Sequence, residues 1–116
     1  MRLSDVKNLV SEAGIPCYKW VVPDPEEVSF PHACVAKIGS GNNLYADNGV
    51  YFPVATCQMY LAMYDDERQE DIEYAVDKIF DDNNIPYTYI MGYNRDENIV
   101  VKTYTFGIPE EVTDNE

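Results

Sequence analysis

Basic residues are scarce in this chain: 8 Lys and Arg stand against 21 Asp and Glu, a formal net charge of −13 over 116 residues. A protein so poor in cations lacks the clustered Lys and Arg that grip a nucleic-acid backbone. It is equally unsuited to docking on anionic lipid, so no membrane partner is expected. Cysteine is sparse too. Cys17, Cys34 and Cys57 are odd in number, widely spaced and form no CxxC pair. That argues against a disulfide framework or a zinc site and suits a reducing compartment, with each thiol a small buried hydrophobe. The N-terminus, Met1-Arg2-Leu3-Ser4-Asp5, has no apolar run of the signal-peptide kind. The uncharged stretch 50–64 is too short and too polar to span a bilayer, since it contains Thr56, Gln58 and several tyrosines. Synthesis in the cytoplasm is expected.

Motifs that would name a chemistry are missing as well. Gly39-Ser40-Gly41 has no following helix and no other part of a nucleotide fingerprint, so it reads as a flexible turn. Asp81-Asp82-Asn83-Asn84 begins like a calcium loop, but Ile85-Pro86 occupies the place of a ligand and the turn glycine. His32, the one histidine, has no nucleophile motif beside it and reads as the opening of a strand. Asp65, Asp66, Glu67, Glu70, Asp71 and Glu73 read as a solvated helix face rather than a metal site. Arg95 and Lys102, among the few cations, are candidates for pairing across subunits. No catalytic residue, cofactor or metal is expected, and the chain does not read as an enzyme.

What is present is a clear alternation of elements. Leu3, Val6, Leu9, Val10 and Ala13 recur at helical spacing, with Ser4 as the expected cap and Gly14 as the left-handed stop, giving a helix near 4–13. Residues 17–22 read as a strand, 23–31 as a proline-bearing acidic loop, and 32–38 as a second strand. Residues 44–46 form a short strand before Asp47-Asn48-Gly49, a hairpin signal. Then comes the uncharged stretch, whose regular part runs from Val54 to Tyr64 and reads as the central strand. At period two, Ala55, Cys57, Met59, Leu61 and Met63 share one face, the better core candidate. Thr56, Gln58, Tyr60, Ala62 and Tyr64 share the other. Its tyrosines suit a subunit interface, or equally a place under a neighbouring helix.

A second helix is expected over 66–81, with Asp65 or Asp66 as cap, Gln69 completing a capping box, and Ile72, Ala75, Val76, Ile79 and Phe80 as the apolar stripe. An Asn takes the left-handed position at its end. Strands follow over 85–91 and 99–106, joined by the polar turn 94–98. Both helices are followed by a helix stop, Ile-Pro and a strand: Gly14-Ile15-Pro16-Cys17 and Asn84-Ile85-Pro86-Tyr87. The order α-β-β-β-β-α-β-β implies an α+β fold, a mostly antiparallel sheet with two helices packed on one face. One domain is expected over 1–108, with an acidic and mobile tail over 109–116.

The run Gly39-Ser40-Gly41-Asn42-Asn43-Leu44-Tyr45-Ala46-Asp47-Asn48-Gly49-Val50-Tyr51, then Gln58-Met59-Tyr60, Glu70-Asp71-Ile72-Glu73 and Asn84-Ile85-Pro86-Tyr87, resembles the small tail-terminator, or tail-completion and tail-to-head joining, proteins of tailed bacteriophages. The resemblance spans about residues 3–108, and its motifs are structural. It implies a virion protein made in the host cytoplasm that closes into a ring, usually a hexamer. Such a ring caps the tail tube, meets the head connector or stopper protein, and lets DNA pass without specific binding. The family has no catalytic residue to carry over. Expected contact residues are Asn42, Asn43, Leu44, Tyr45, Asp47, Asn48 and Tyr51 on the hairpin, and Gln58, Tyr60 and Tyr64 on the strand. The loop 23–31 and the tail 110–116 are further candidates; each of these segments also fits an ordinary surface loop. The competing reading is an acidic DNA mimic that inhibits a host nuclease.

Overall fold

The computed structural model describes residues 2–22, 28–39, 44–45, 51–52 and 54–109. In chain order these form α1 (Leu3–Glu12), β1 (Cys17–Lys19), β2 (His32–Gly39), β3 (Leu44–Tyr45), β4 (Tyr51–Phe52), β5 (Val54–Tyr64), α2 (Gln69–Asp82), β6 (Tyr87–Asn94) and β7 (Ile99–Pro109). The expected α+β fold is observed. The long uncharged stretch divides into β4 and β5 on either side of Pro53, which lies outside the described residues. So do the turn Asp47-Asn48-Gly49, most of the 23–31 loop and the tail beyond Pro109.

The main sheet has five strands in the order β1-β2-β5-β7-β6, so β5 is its centre. Every pairing is antiparallel except β1 with β2. β3 and β4 pair with each other, Leu44 opposite Phe52 and Tyr45 opposite Tyr51. The period-two alternation of β5 decides where the core lies. Ala55, Cys57, Met59, Leu61 and Met63 are buried in one cluster with Leu3, Val6 and Val10 of α1 and Val76 and Phe80 of α2. Both helices therefore cover one face of the sheet. Phe80 is the hub under α2. Its ring stacks on Tyr104 at 5.0 Å and meets Phe106 and Tyr87 edge-on at 5.0 and 5.1 Å.

The two helix-to-strand turns share a device. Gly14 and Asn84 both take positive φ, 89° and 56°. After α2 the Ile85 N–H bonds to the Phe80 carbonyl and the Asn84 N–H to the Asp81 carbonyl. This is a Schellman motif, which satisfies the last carbonyls and folds Ile85 back onto Phe80. Ile15 and Ile85 are both buried. Each Ile-Pro thus anchors a chain leaving a helix before it enters the sheet.

The helix starts differ from expectation. Ser4 does not cap α1. The Asp5 carboxylate accepts from the Arg2 N–H at 2.8 Å, and Ser4 Oγ accepts from Lys19 Nζ at 2.9 Å, tying the helix to β1. α2 begins at Gln69 because Asp66 is spent on a preceding turn. Its carboxylate accepts from Arg68 N–H and its carbonyl from Gln69 N–H. The Gln69 amide donates instead to Glu73, one turn on.

Lys102, expected as a candidate for pairing across subunits, finds its partners within its own chain. It lies on the covered face, 2% exposed. Its Nζ donates to Glu73 at 2.7 Å and to both Asp77 oxygens at 3.0 and 3.2 Å. The Tyr104 hydroxyl donates to Asp77 at 2.6 Å, and the ammonium lies 4.2 Å from the centroid of the Tyr89 ring. Burial pulls the Lys102 pKa down, but the hydrogen bonds to Glu73 and Asp77 outweigh it and hold the group above its ordinary 10.5. Burial, then the bond to Asp77, raises the Tyr104 hydroxyl far above its ordinary 10.0.

Removing one partner of such a cluster strands the others. Asp77→Ala should destabilise by about 2–3 kcal/mol, less than the about 3–5 of a fully enclosed pair, because both carboxylates keep some water. Phe80→Ala should cost about 3–5 kcal/mol. Urea unfolding of each variant checks both figures. The raised pKa values of Lys102 and Tyr104 favour the protonated forms in the folded state, as does that of Cys17, pushed up by burial from 9.0 to about 12. Their stabilisation is complete below the unfolded-state values and is lost as pH rises through the folded ones. The urea midpoint is therefore expected to fall progressively above pH 9.0, and Lys102→Met should flatten the upper part of that fall.

Candidate functional site

The face of the sheet opposite the helices is the candidate site. Cross-strand register places Thr56, Gln58, Tyr60, Ala62 and Tyr64 of β5 on it, with His32 and Cys34 of β2, Ile99, Val101, Thr103 and Thr105 of β7, and Thr88 and Ile90 of β6. None of these described strand residues carries a carboxylate, ammonium or guanidinium group. Gln58 is exposed and reaches Thr105 Oγ1 at 3.4 Å. Tyr60 is half-buried, and its hydroxyl pKa is raised, by burial first and then by Cys34, Cys17 and Tyr18. Tyr64 is 45% exposed.

A ring cluster runs along one end of this face. Phe30 lies 4.8 Å from His32 and 5.0 Å from Tyr64, and His32 meets Tyr60 edge-on at 5.7 Å. Beside it opens a cleft of about 480 Å³. Its outer wall comes from a turn that the sequence does not announce. β1 was expected to run to Val22, but it stops at Lys19. Trp20 takes φ 75°, and the Val21 N–H bonds to the Lys19 carbonyl at 2.9 Å, a γ-turn with the bulky residue at its centre. That turn ends the extended backbone and carries Trp20, Val21 and Val22 onto the wall of the cleft, with Phe30, His32, Cys34 and Tyr60. The remaining wall includes Asn94, the last residue of β6, and Glu97 from the β6–β7 turn. That turn is held by Asn98, at φ 58°, whose amide and carbonyl bond to Asp65 at the end of β5.

Of the residues singled out in the sequence, the structure brings Gln58, Tyr60 and Tyr64 together on one face. Leu44, Tyr45 and Tyr51 lie in the β3–β4 ladder. Asn42, Asn43, Asp47 and Asn48 lie outside the described residues. Phe30 falls within the candidate loop 23–31, but Trp20, Asn94 and Glu97 are not site candidates in the sequence, and the signal needed, a positive φ at a tryptophan, is not written in residue type. His32 and Cys34 share the cleft, but their chemistry points away from an ion pair. Burial lowers the imidazole pKa below 6.5 and raises the thiol above 9.0. Both are neutral at pH 7, so no thiolate nucleophile is preformed. Among the described residues, no group of three His, Cys, Asp or Glu side chains is placed to hold a metal ion. The sequence matches no family model and no curated protein.

His32 has a folded-state pKa below its ordinary 6.5, set by burial against a smaller opposing effect from the Ser29 carbonyl. Its contribution to stability is present above that value and is lost as pH falls through the folded one. Stability should therefore decline on the acid side of 6.5 before carboxylates titrate. His32→Gln should remove that part of the decline, read as the urea midpoint against pH.

Proposed function

We propose that this chain is a structural assembly subunit of the tail-terminator type, closing into a ring that caps a tail tube and presents a second surface to a head connector. The observation that carries the reading is a sheet face that no described helix covers and whose described strand residues named above carry no charge, in a chain of net charge −13. Copies with so many like charges repel one another at close approach. They can pack most closely where neither surface carries charge, and the open face offers such a surface, with Gln58, Tyr60 and Tyr64 as hydrogen-bonding or aromatic contacts. A ring needs heterologous contacts, in which this face meets a different patch of the neighbour. The remaining acidic surface would then line the lumen or the rims, where it repels passing DNA.

The acidic-mimic reading draws support from α2, whose Glu70, Asp71, Asp81 and Asp82 are exposed on one side. A mimic needs regularly spaced charge along an extended surface, and the broad uncharged face gives that reading no support.

Light scattering after size exclusion separates the two. Assembly should give a particle of several times 13.3 kDa, alone or with tube protein. Tyr64→Glu or Gln58→Glu should abolish it, since an unpaired charge in a contact of this kind costs several kcal/mol. Tyr74→Glu, at a tyrosine 69% exposed on α2, should leave it intact. A chain that stays monomeric with tube protein and inhibits a nuclease would sink the ring reading.

A further inference from the structure

We infer that the cleft beside β1 is a binding site for a cationic, hydrogen-bond-donating side chain, and that its occupant is an arginine from a basic segment of a partner protein. The site does not depend on ring formation. Its volume of about 480 Å³ lies within the range of small-ligand sites and exceeds what one guanidinium group needs. Trp20, Phe30 and Tyr60 supply aromatic walls, and the face of such a ring attracts a cation.

The polar groups of the cleft favour the same occupant. Glu97, an acidic residue, is part of the lining, as are Asn94 and His32. His32 Nδ1 lies 3.1 Å from the Ser29 carbonyl. A carbonyl only accepts, so Nδ1 carries the proton and donates. Because burial keeps the ring neutral, Nε2 is left with a lone pair, an acceptor. Among the described residues, no Lys or Arg lines the cleft. Aromatic faces, a carboxylate and an imidazole acceptor suit a planar cation with several N–H donors, which is the chemistry of arginine more than of lysine. They repel a carboxylate or phosphate. The net charge of −13 draws basic segments toward the protein from a distance.

The cleft contains its own reporters, because Trp20 and His32 are the sole residues of their kinds. The intact chain is titrated with acetyl-tetra-arginine amide while Trp20 fluorescence and the His32 ring proton resonances are followed. Tetra-lysine, tetra-glutamate and tetra-glutamine peptides serve as comparators. Both reporters should move together and saturate, with tetra-arginine binding tightest. Glu97→Gln, an exposed turn substitution that leaves the core untouched, should weaken binding about fivefold. Phe30→Leu should weaken it independently. Glu70→Gln, on the exposed side of α2, should change it little.

Equal weakening by Glu97→Gln and Glu70→Gln would reduce the effect to diffuse attraction by an acidic protein and overturn the site. Binding that leaves Trp20 and His32 unmoved would overturn it too, as would tetra-glutamine binding as tightly as tetra-arginine.

Discussion

A five-stranded sheet has two faces, and the two described helices cover one of them. That constraint shapes the rest of the molecule. β5, at the centre, alternates between five buried apolar or small side chains and a second set of Thr, Gln, Tyr and Ala. A one-residue slip in its register would exchange the two sets and expose the core, so the alternation fixes the pairing of both neighbours. The helices follow the apolar set. What remains is a face too polar to collapse on itself and too uncharged to be an ordinary solvated surface.

The covered face carries its own departure from a plain apolar core. Alternation along β7 places Val100, Lys102, Tyr104 and Phe106 on the same side, so an ammonium group has to be accommodated beneath α2. Glu73 and Asp77 accept it, one turn apart on the helix. Some of the acidic excess is therefore structural, because two of the carboxylates on the helix are committed to one buried cation. The polar cluster fixes the rotation of α2 about its axis, while Phe80 against Tyr87, Tyr104 and Phe106 fixes its other end. A purely apolar stripe would tolerate sliding of the helix; directional hydrogen bonds tolerate much less.

The parts legible in the sequence are those set by local pattern. The strand alternation of β5, the apolar stripe of α2, and the helix stop followed by Ile-Pro depend on residue type at fixed spacing, and the structure has them where they were read. The left-handed positions fell to Gly14 and Asn84, residue types that adopt them at little strain. Features set by competition between partners were not legible. Ser4 and Asp66 are both good caps by type, yet Asp5 satisfies the N-terminus of α1 and Asp66 serves a turn ahead of α2. Lys102 looked like a surface cation because nothing in β7 reveals that α2 crosses above it. The cleft was hidden for a sharper reason. It depends on Trp20 holding a backbone conformation that a bulky side chain disfavours, with the Trp20 N–H bonded to the Val35 carbonyl of the neighbouring strand, a pairing that residue type does not announce.

The proposed contact between copies and the proposed arginine cleft meet at Tyr60, which belongs to both the open face and the cleft wall. Two ligands that share a residue are coupled, and the coupling is reciprocal: whatever a basic segment does to the affinity between copies, those copies do to the affinity for the segment. Charge sets the direction expected of the coupling. A cation seated among Trp20, Phe30 and Glu97 lowers the net negative charge beside the face where like-charged copies meet, and so weakens their repulsion. Steric overlap acts oppositely if the neighbour covers Tyr60 itself. How far the neighbour extends along β5 decides between them. The walls of the cleft lie toward β1 and the β6–β7 turn, whereas Gln58 lies further along β5, on the side of Thr105. Tyr64, also a proposed contact, lies 5.0 Å from Phe30 on the cleft wall, so a neighbour confined to the Gln58 end leaves the cleft accessible and lets the electrostatic effect prevail, whereas one reaching Tyr64 competes. A basic partner would in the first case promote assembly rather than compete with it, which is the behaviour the proposed ring would need if it closed only where its partner is present.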